Sequence, residues 1–376
     1  MFFSMSDNVQ FSLPKTAKRN SWIEFLRIIS IIGIVICHAS YHGGIAENSN
    51  GILQYVAVAF LPLGKIFFCV FAFISSWYLI GKNMKFAHTL KLWIQTLLYN
   101  LVLLILAITI FKYKASTTEI IKSFLPIFGF GVSHGYISGY LLFILFLPFI
   151  NYLVNQIKSR NVFCLLILIF TINMFCSITQ INNVVTELFA FILIYLVAFF
   201  LRKIYSTGKK INIKILAMIV LISYLLSYLS YLLVYVQNNR IGNLIMRILC
   251  IDERSPLNLI AASSLFMFFI YLKPINNKII NFLAKPTLDI LLLYDSGIFR
   301  KIVWLNIFSS LNFANNNFYW WIFIVVIILY FSGMLLFLIR HFTIDKIIDK
   351  TSSITNLCCF VDELNSDIAQ KNNAII

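Results

Sequence analysis

Long apolar runs follow one another through residues 22–340, parted by short polar connections. A run of about 20 apolar residues is what a helix needs to cross the bilayer hydrocarbon, where each backbone N–H and C=O must be satisfied within the segment. The pattern predicts spans at roughly 22–41, 56–80, 90–111, 137–154, 161–178, 184–201, 212–236, 257–272, 280–298 and 318–340. The expected fold is all-α, a polytopic membrane helical bundle of about ten transmembrane helices. Only 12% of the residues are charged and 60% are hydrophobic, whereas soluble domains carry about 25% charged residues. A soluble class is excluded.

Residues 1–21 read as a cytoplasmic N-terminal segment, 22–340 as one transmembrane domain and 341–376 as a cytoplasmic tail. The first apolar run is followed by no small-residue cleavage site, so it is expected to remain as a helix. The net charge of +16 would suggest nucleic acid in a soluble chain. Here the basic residues sit in the loops. Counted over alternate connections, one side holds 20 Lys and Arg and the other 8. That asymmetry predicts cytoplasmic termini, membrane lipid as a partner and no nucleic acid. The seven cysteines have no metal-ligand or disulfide spacing, and no metal is expected. Segments 52–65 and 124–136 read as irregular. The second combines Pro126, Gly129, Gly131 and Gly135 with an apolar setting. Irregular backbone at membrane depth is buried in protein or lines a cavity, so this segment is a candidate wall of a site.

The first span, WIEFLRIISIIGIVICHASY, holds Glu24, Arg27 and His38 in an otherwise apolar helix. Ionisable residues inside a membrane are costly and point to function. Arg27 and His38 are eleven residues apart, so they share a face about 16 Å apart along the axis. Glu24 can pair with Arg27 one turn away. Taken alone, Glu24 and Arg27 also fit a pair snorkelling at the interface, and His38 fits a packed histidine. His42 and His341 read as solvated.

Glu-Phe-Leu-Arg at 24–27, then ten residues, then His38, resembles the opening of the acyltransferase 3 family of membrane acyltransferases. FFCVFAFISSWYLIGK, residues 67–82, is similar to that family's Phe-rich helix ending in Ser-Gly-Tyr-Leu, with Ser75 at the serine and Ser76 at the glycine. GYISGYLLFILFLPFINYLV, residues 135–154, resembles a helix of the polysaccharide O-acetyltransferase branch. Tyr136, Tyr140, Pro148 and Asn151 fit, and Gly135 stands where Trp is usual. Residues 255–304 resemble the branch's late block. Asp295, Arg300 and Trp304 fall in place, while Tyr294 replaces a histidine and Ser296 an asparagine. The four matches run in order over residues 22–304.

The resemblance implies an O-acyltransferase of the bacterial plasma membrane. It would move an acetyl group from acetyl-CoA, as co-substrate, to a glycan or lipid-linked glycan of capsule or exopolysaccharide. His38 would act as general base. Arg27 would bind phosphate or stabilise the polarised carbonyl, with Glu24 and Ser75 in support. Arg27, Lys203, Lys209 and Lys210, with Arg202 and Lys214 beside them, would attract coenzyme A. Anionic lipid headgroups are the other reading of this cluster. His134, Tyr136, Tyr140, Asp295 and Arg300 are the acceptor-side candidates, although tyrosines at helix ends also serve as interfacial anchors. The departures at Gly135, Tyr294 and Ser296 also fit a member without activity. The alternative function is a polysaccharide polymerase or flippase of the same pathway, for which Arg240, Arg247 and Arg254, spaced by seven, would meet an anionic glycan.

Overall fold

The computed structural model describes residues 19–82, 86–124, 135–295, 299–300, 302–308 and 310–346, and among them there is no strand. The chain is a multi-pass, all-α membrane helical bundle. Among the described residues, eight stretches are long and apolar enough to cross a membrane. In chain order the helices are α1 (Ser21–His42), α2 (Ile45–Asn48), α3 (Ile52–Ala59), α4 (Leu61–Leu79), α5 (Phe86–Thr109), α6 (Thr117–Ser123), α7 (Gly135–Gln156) and α8 (Ser159–Thr179). They continue with α9 (Val184–Ser206), α10 (Ile213–Tyr235), α11 (Arg240–Leu249), α12 (Pro256–Tyr271), α13 (Lys278–Leu283) and α14 (Thr287–Tyr294). A π-helical turn, Ile302–Ile307, precedes α15 (Ser310–Phe342).

Two expected spans come out differently. The 257–272 segment is a short helix of 16 residues. The 280–298 segment is not one helix: α13 ends at Leu283, Ala284, Lys285 and Pro286 intervene, and α14 stops at Tyr294. Proline lacks the N–H a helix interior needs, so the helix restarts there. The 52–65 segment is more regular than expected, since α3 runs almost directly into α4, with Pro62 in the first turn of α4 where its missing N–H costs nothing. The glycine-rich part of 124–136, up to residue 134, lies outside the described residues.

Polar side chains satisfy the backbone where helices end inside the bundle. At the C-terminal end of α4, Arg202 Nη1 donates to the carbonyls of Trp77 at 2.8 Å and Ile80 at 3.1 Å. Asn151 donates to Leu79 and Lys82 carbonyls and accepts from the Gly81 N–H at 3.0 Å. Tyr195 donates its hydroxyl to Asn151. Orphan carbonyls at a helix end need such partners when water is excluded. The start of α1 is fixed in the same manner, with Asn20 capping Trp22 N and Ser21 N donating to the Ile275 carbonyl at 2.8 Å.

Apolar packing falls into two clusters. Ile23 and Leu26, near the start of α1, pack with α4, α7, α9 and α12. Ile31, Ile34 and Val35, further along, pack with α3, α5, α14 and α15. Gly64 lets α4 press on α1, because a Cβ there would overlap Cys37. Phe149, Phe175, Trp320 and Phe331 are exposed large apolar groups, as a lipid-contacting surface requires. Reporter fusions after residue 50 and after residue 208 are expected to report opposite sides of the membrane. A result placing both on one side would contradict the helix arrangement.

Candidate active site

A cavity of about 710 Å³ lies at the His42 end of α1, within the usual range of about 300–1,000 Å³ for small-molecule sites. His38 and His42 reach it from α1, Lys65 and Phe68 from α4, Tyr136 from α7 and Glu187 from α9. Asp252 and Glu253 come from the loop between α11 and α12, and Asp295 and Arg300 from the chain after α14.

His38 Nδ1 stands 3.4 Å from Asp295 Oδ1, and Arg300 Nε lies 2.8 Å from the same oxygen. Asp295 is buried at 3% exposure, so its negative charge is held against Arg300 rather than against water. A carboxylate beside Nδ1 favours the tautomer with its proton on Nδ1, which leaves Nε2 as the basic nitrogen. The His38 ring also packs edge-on to Tyr294, with centroids 5.7 Å apart, and Tyr294 in turn packs on Trp304. Tyr294, which replaces a histidine of the resembling motif, is fully buried behind His38. His38, His42 and Asp295 place one ligand atom each within 4.8 Å of one another. Arg300 sits on the same Asp295 oxygen that faces His38 Nδ1, the arrangement of an oriented imidazole.

The opposite wall is a second charged group. Lys65 Nζ lies 3.6 Å from Glu253 Oε2. Burial opposes charge on Glu253, but Lys65 and Arg254 outweigh it and hold its carboxyl below the usual carboxylate range. Glu187 of α9 lines the same wall. The loop that carries Glu253 is braced by Asn258, whose Nδ2 donates to the Cys250 and Asp252 carbonyls at 2.8 and 2.7 Å.

Of the expected residues, His38, Tyr136, Asp295 and Arg300 meet at this cavity. His134 lies outside the described residues. Arg27, Glu24, Ser75 and Tyr140 do not line the cavity. Arg27 sits nearer the Ser21 end of α1, 3.5 Å from Glu24, which also takes Arg19 at 2.7 Å. The Tyr140 ring packs against Phe143 and Phe191 instead. The phenol of Tyr136 packs between Phe68 and Phe191. The basic cluster divides. Arg202 is committed to capping α4, and Lys203 is buried and donates to Ser159 Oγ at 2.6 Å, while Lys209 and Lys210 are exposed.

His42 is a correction. It is not a solvated loop residue but the last residue of α1, with its ring 4.8 Å from that of His38 and inside the cavity. The helix runs one residue past the expected span, and that residue is His42. Three groups were missed: Lys65, Glu187 and Glu253. Lys65 and Glu187 are ionisable residues inside apolar spans, which is the signal that singled out Glu24 and Arg27. Glu253 lies in a loop and carries no such signal. Replacing His42 with alanine is expected to lower any His38-dependent reaction, though less than replacing His38. Full activity in His42→Ala would return His42 to a packing role.

No protein-family model, curated protein or solved structure matches the chain.

Proposed function

We propose that the chain is a membrane O-acyltransferase that moves an acyl group, acetyl by resemblance, from a coenzyme A thioester to a hydroxyl of a bacterial cell-surface polysaccharide or its lipid-linked precursor. The observation that carries this reading is the His38–Asp295–Arg300 chain in the wall of a cavity lined by hydrogen-bonding groups. Acyl transfer needs a base at the acceptor hydroxyl. His38 Nε2 takes the hydroxyl proton as its oxygen attacks the thioester carbonyl. The C–S bond then breaks, and the proton goes to the departing thiolate. Asp295 holds the imidazole tautomer and stabilises the imidazolium, and Arg300 keeps Asp295 ionised and in place.

In this reading the Ser21 end of α1 lies in the cytoplasm, supported by the excess of basic residues on that side of the helices. Arg27, Lys209 and Lys210 then face the compartment that holds coenzyme A. Arg27 serves donor binding, since about 16 Å of helix separates it from His38. Lys203 and Arg202, being committed to protein partners, drop out of that role.

The polymerase or flippase reading loses its main support. Arg254 is buried against Asp252 at 3.1 Å, while Arg240 is exposed and Arg247 lines the cavity. The three therefore do not form one anion-binding surface. Ester analysis of surface glycan from cells with and without the protein tests the proposal. Loss of O-acyl groups at unchanged chain length is expected. Unchanged acylation with altered chain length would favour the polymerase instead.

A further inference from the structure

The cavity has a mouth as well as a floor. The side chains of His38 and Asp295 lie deep, at 12% and 4% exposure. Tyr41 of α1 is 48% exposed, and Gln180 and Asn182, between α8 and α9, are exposed too, yet all three line the same cavity. Tyr235 of α10 and Asn243 and Arg247 of α11 are half-buried and line it as well. Ser177 Oγ, near the end of α8, donates to the Arg247 carbonyl at 3.0 Å. That bond ties α11 to the turn that carries Gln180.

Gln180 stands where the backbone favours a different residue. It is left-handed, with φ 57° and ψ 27°, in the turn that ends α8. Its N–H donates to the Ser177 carbonyl at 3.3 Å, and the Ile181 N–H donates to the Cys176 carbonyl at 3.1 Å. This is a Schellman ending, whose left-handed position is usually glycine because a Cβ is strained there. A long amide side chain in that place is a local cost, and the side chain it brings lines the cavity. Backbone strain of this kind gathers at ligand sites. Asn243 is held by a neighbour: Arg247 Nε donates to its Oδ1 at 3.2 Å, which fixes the end of the amide that accepts.

Three side-chain amides, each both donor and acceptor, thus share the mouth with the rings of Tyr41 and Tyr235. Tyr235 stacks on the buried Tyr231, with centroids 6.1 Å apart. A pyranose ring offers the matching surfaces. Its C–H face packs on an aromatic ring, and its neighbouring hydroxyls each donate and accept at a planar amide. A lipid tail would leave the amides unsatisfied, and a small ligand held at His38 would not reach the exposed rim.

We propose that Gln180, Asn182, Asn243, Tyr41 and Tyr235 form an outer subsite for the sugar residues next to the one at His38, so that the ligand is an oligosaccharide or longer chain and not a single sugar. This deepens the glycan reading of the acceptor and rests on that reading, but not on acyl transfer itself.

The test is binding as a function of chain length, without any acyl donor. Surface polysaccharide from the source strain is stripped of its esters and cut into single sugars and disaccharides on one hand and fragments of several repeats on the other. Each pool is titrated onto the purified full-length protein in lipid nanodiscs. The long fragments are expected to bind more tightly than the short ones. Gln180→Gly is expected to weaken binding of the long fragments about 3–10-fold, the loss of one or two hydrogen bonds, and to leave the short ones unchanged. The same variant is expected to keep or raise thermal stability, because glycine suits the left-handed backbone. Asn182→Ala, at an exposed position, and Tyr235→Leu, on another helix, carry the same binding expectation. Affinity that does not depend on length, no binding of either pool, an equal loss for short and long fragments, or undiminished long-fragment binding in all three variants would overturn the proposal. Length-dependent binding through this mouth by a protein that transfers no acyl group would keep the subsite and sink the acyl-transfer reading. Transfer to long acceptors that none of the three variants affects would do the reverse.

Discussion

His38→Ala is expected to lower acyl transfer by about 10²–10⁴-fold, the usual contribution of a positioned acid–base group. His38→Gln is expected to fail as well. It keeps a hydrogen-bonding side chain but has no basic nitrogen to take the hydroxyl proton at neutral pH. Asp295→Asn separates orientation from chemistry. It retains the shape beside Nδ1 while removing the charge that selects the tautomer and stabilises the imidazolium, so the rate should fall with the base still present. Membrane abundance is measured alongside, because the His38 ring of α1 packs on Phe68 of α4 and Tyr294 of α14. The readout is single-turnover transfer at matched protein levels. An Asp295→Asn rate equal to wild type would mean that the carboxylate does not act through His38.

Arg340→Ala is expected to destabilise the bundle by about 3–5 kcal/mol, the cost of stranding a buried charge partner. Arg340 near the end of α15 grips two carboxylates. Its Nε and Nη2 donate to Asp289 at 2.7 and 3.1 Å, and its Nη1 to both oxygens of Asp345 at 3.0 and 2.9 Å. Asp289 is 1% exposed and Asp345 7%. Tyr99 and Gln95 of α5 also donate, to Asp289 at 2.7 Å and to Asp345 at 2.9 Å, and Lys91 of α5 lies 3.8 Å from Asp345. The network therefore ties α5, α14 and α15 together, and α14 delivers the chain to Asp295. Arg340→Lys should recover only part of the loss, because an ammonium cannot reproduce the planar fork. Thermal unfolding of the purified protein in detergent measures this. Stability in Arg340→Ala equal to wild type would show that the network does not hold these helices.

The pair on the other wall gives a pH dependence with a definite sign. The folded state holds Glu253 below the ordinary carboxylate value, which is about 4.3 for glutamate. The stability it contributes is thus fully present above that value and is lost only as pH falls through the depressed one. Unfolding measured from neutral to mildly acidic pH should show no Lys65-dependent step.

The long spans were legible because hydrophobic length is a strong physical signal. The first helix was readable down to His38 for the same reason: a charge inside an apolar run cannot hide. The boundaries carried less information. His42 was lost because α1 continues past the point where its apolar pattern stops. The break at Pro286 was lost because the residues around it are as apolar as a span. The basic residues after α9 illustrate a different difficulty. Arg202 and Lys203 look like the exposed Lys209 and Lys210 in sequence, yet one closes the end of α4 and the other reaches Ser159. Which basic residue caps a helix depends on the neighbouring helix, and no local pattern states that. Asp345 shows the same limit. Placed in a polar tail by composition, it is buried as a partner of Arg340. Glu253 joins the cavity only because α11, α12 and Asn258 fold its loop inward.

Label transfer is the most direct measurement of the central claim. Purified protein in nanodiscs is supplied with acetyl-CoA carrying a labelled acetyl group and with surface glycan from the source strain stripped of its esters. Wild-type protein is predicted to place alkali-labile label on the glycan, and His38→Gln at equal amount to place none above background. Label on the glycan with His38→Gln at the wild-type rate, or none with a folded wild-type protein, would contradict the account.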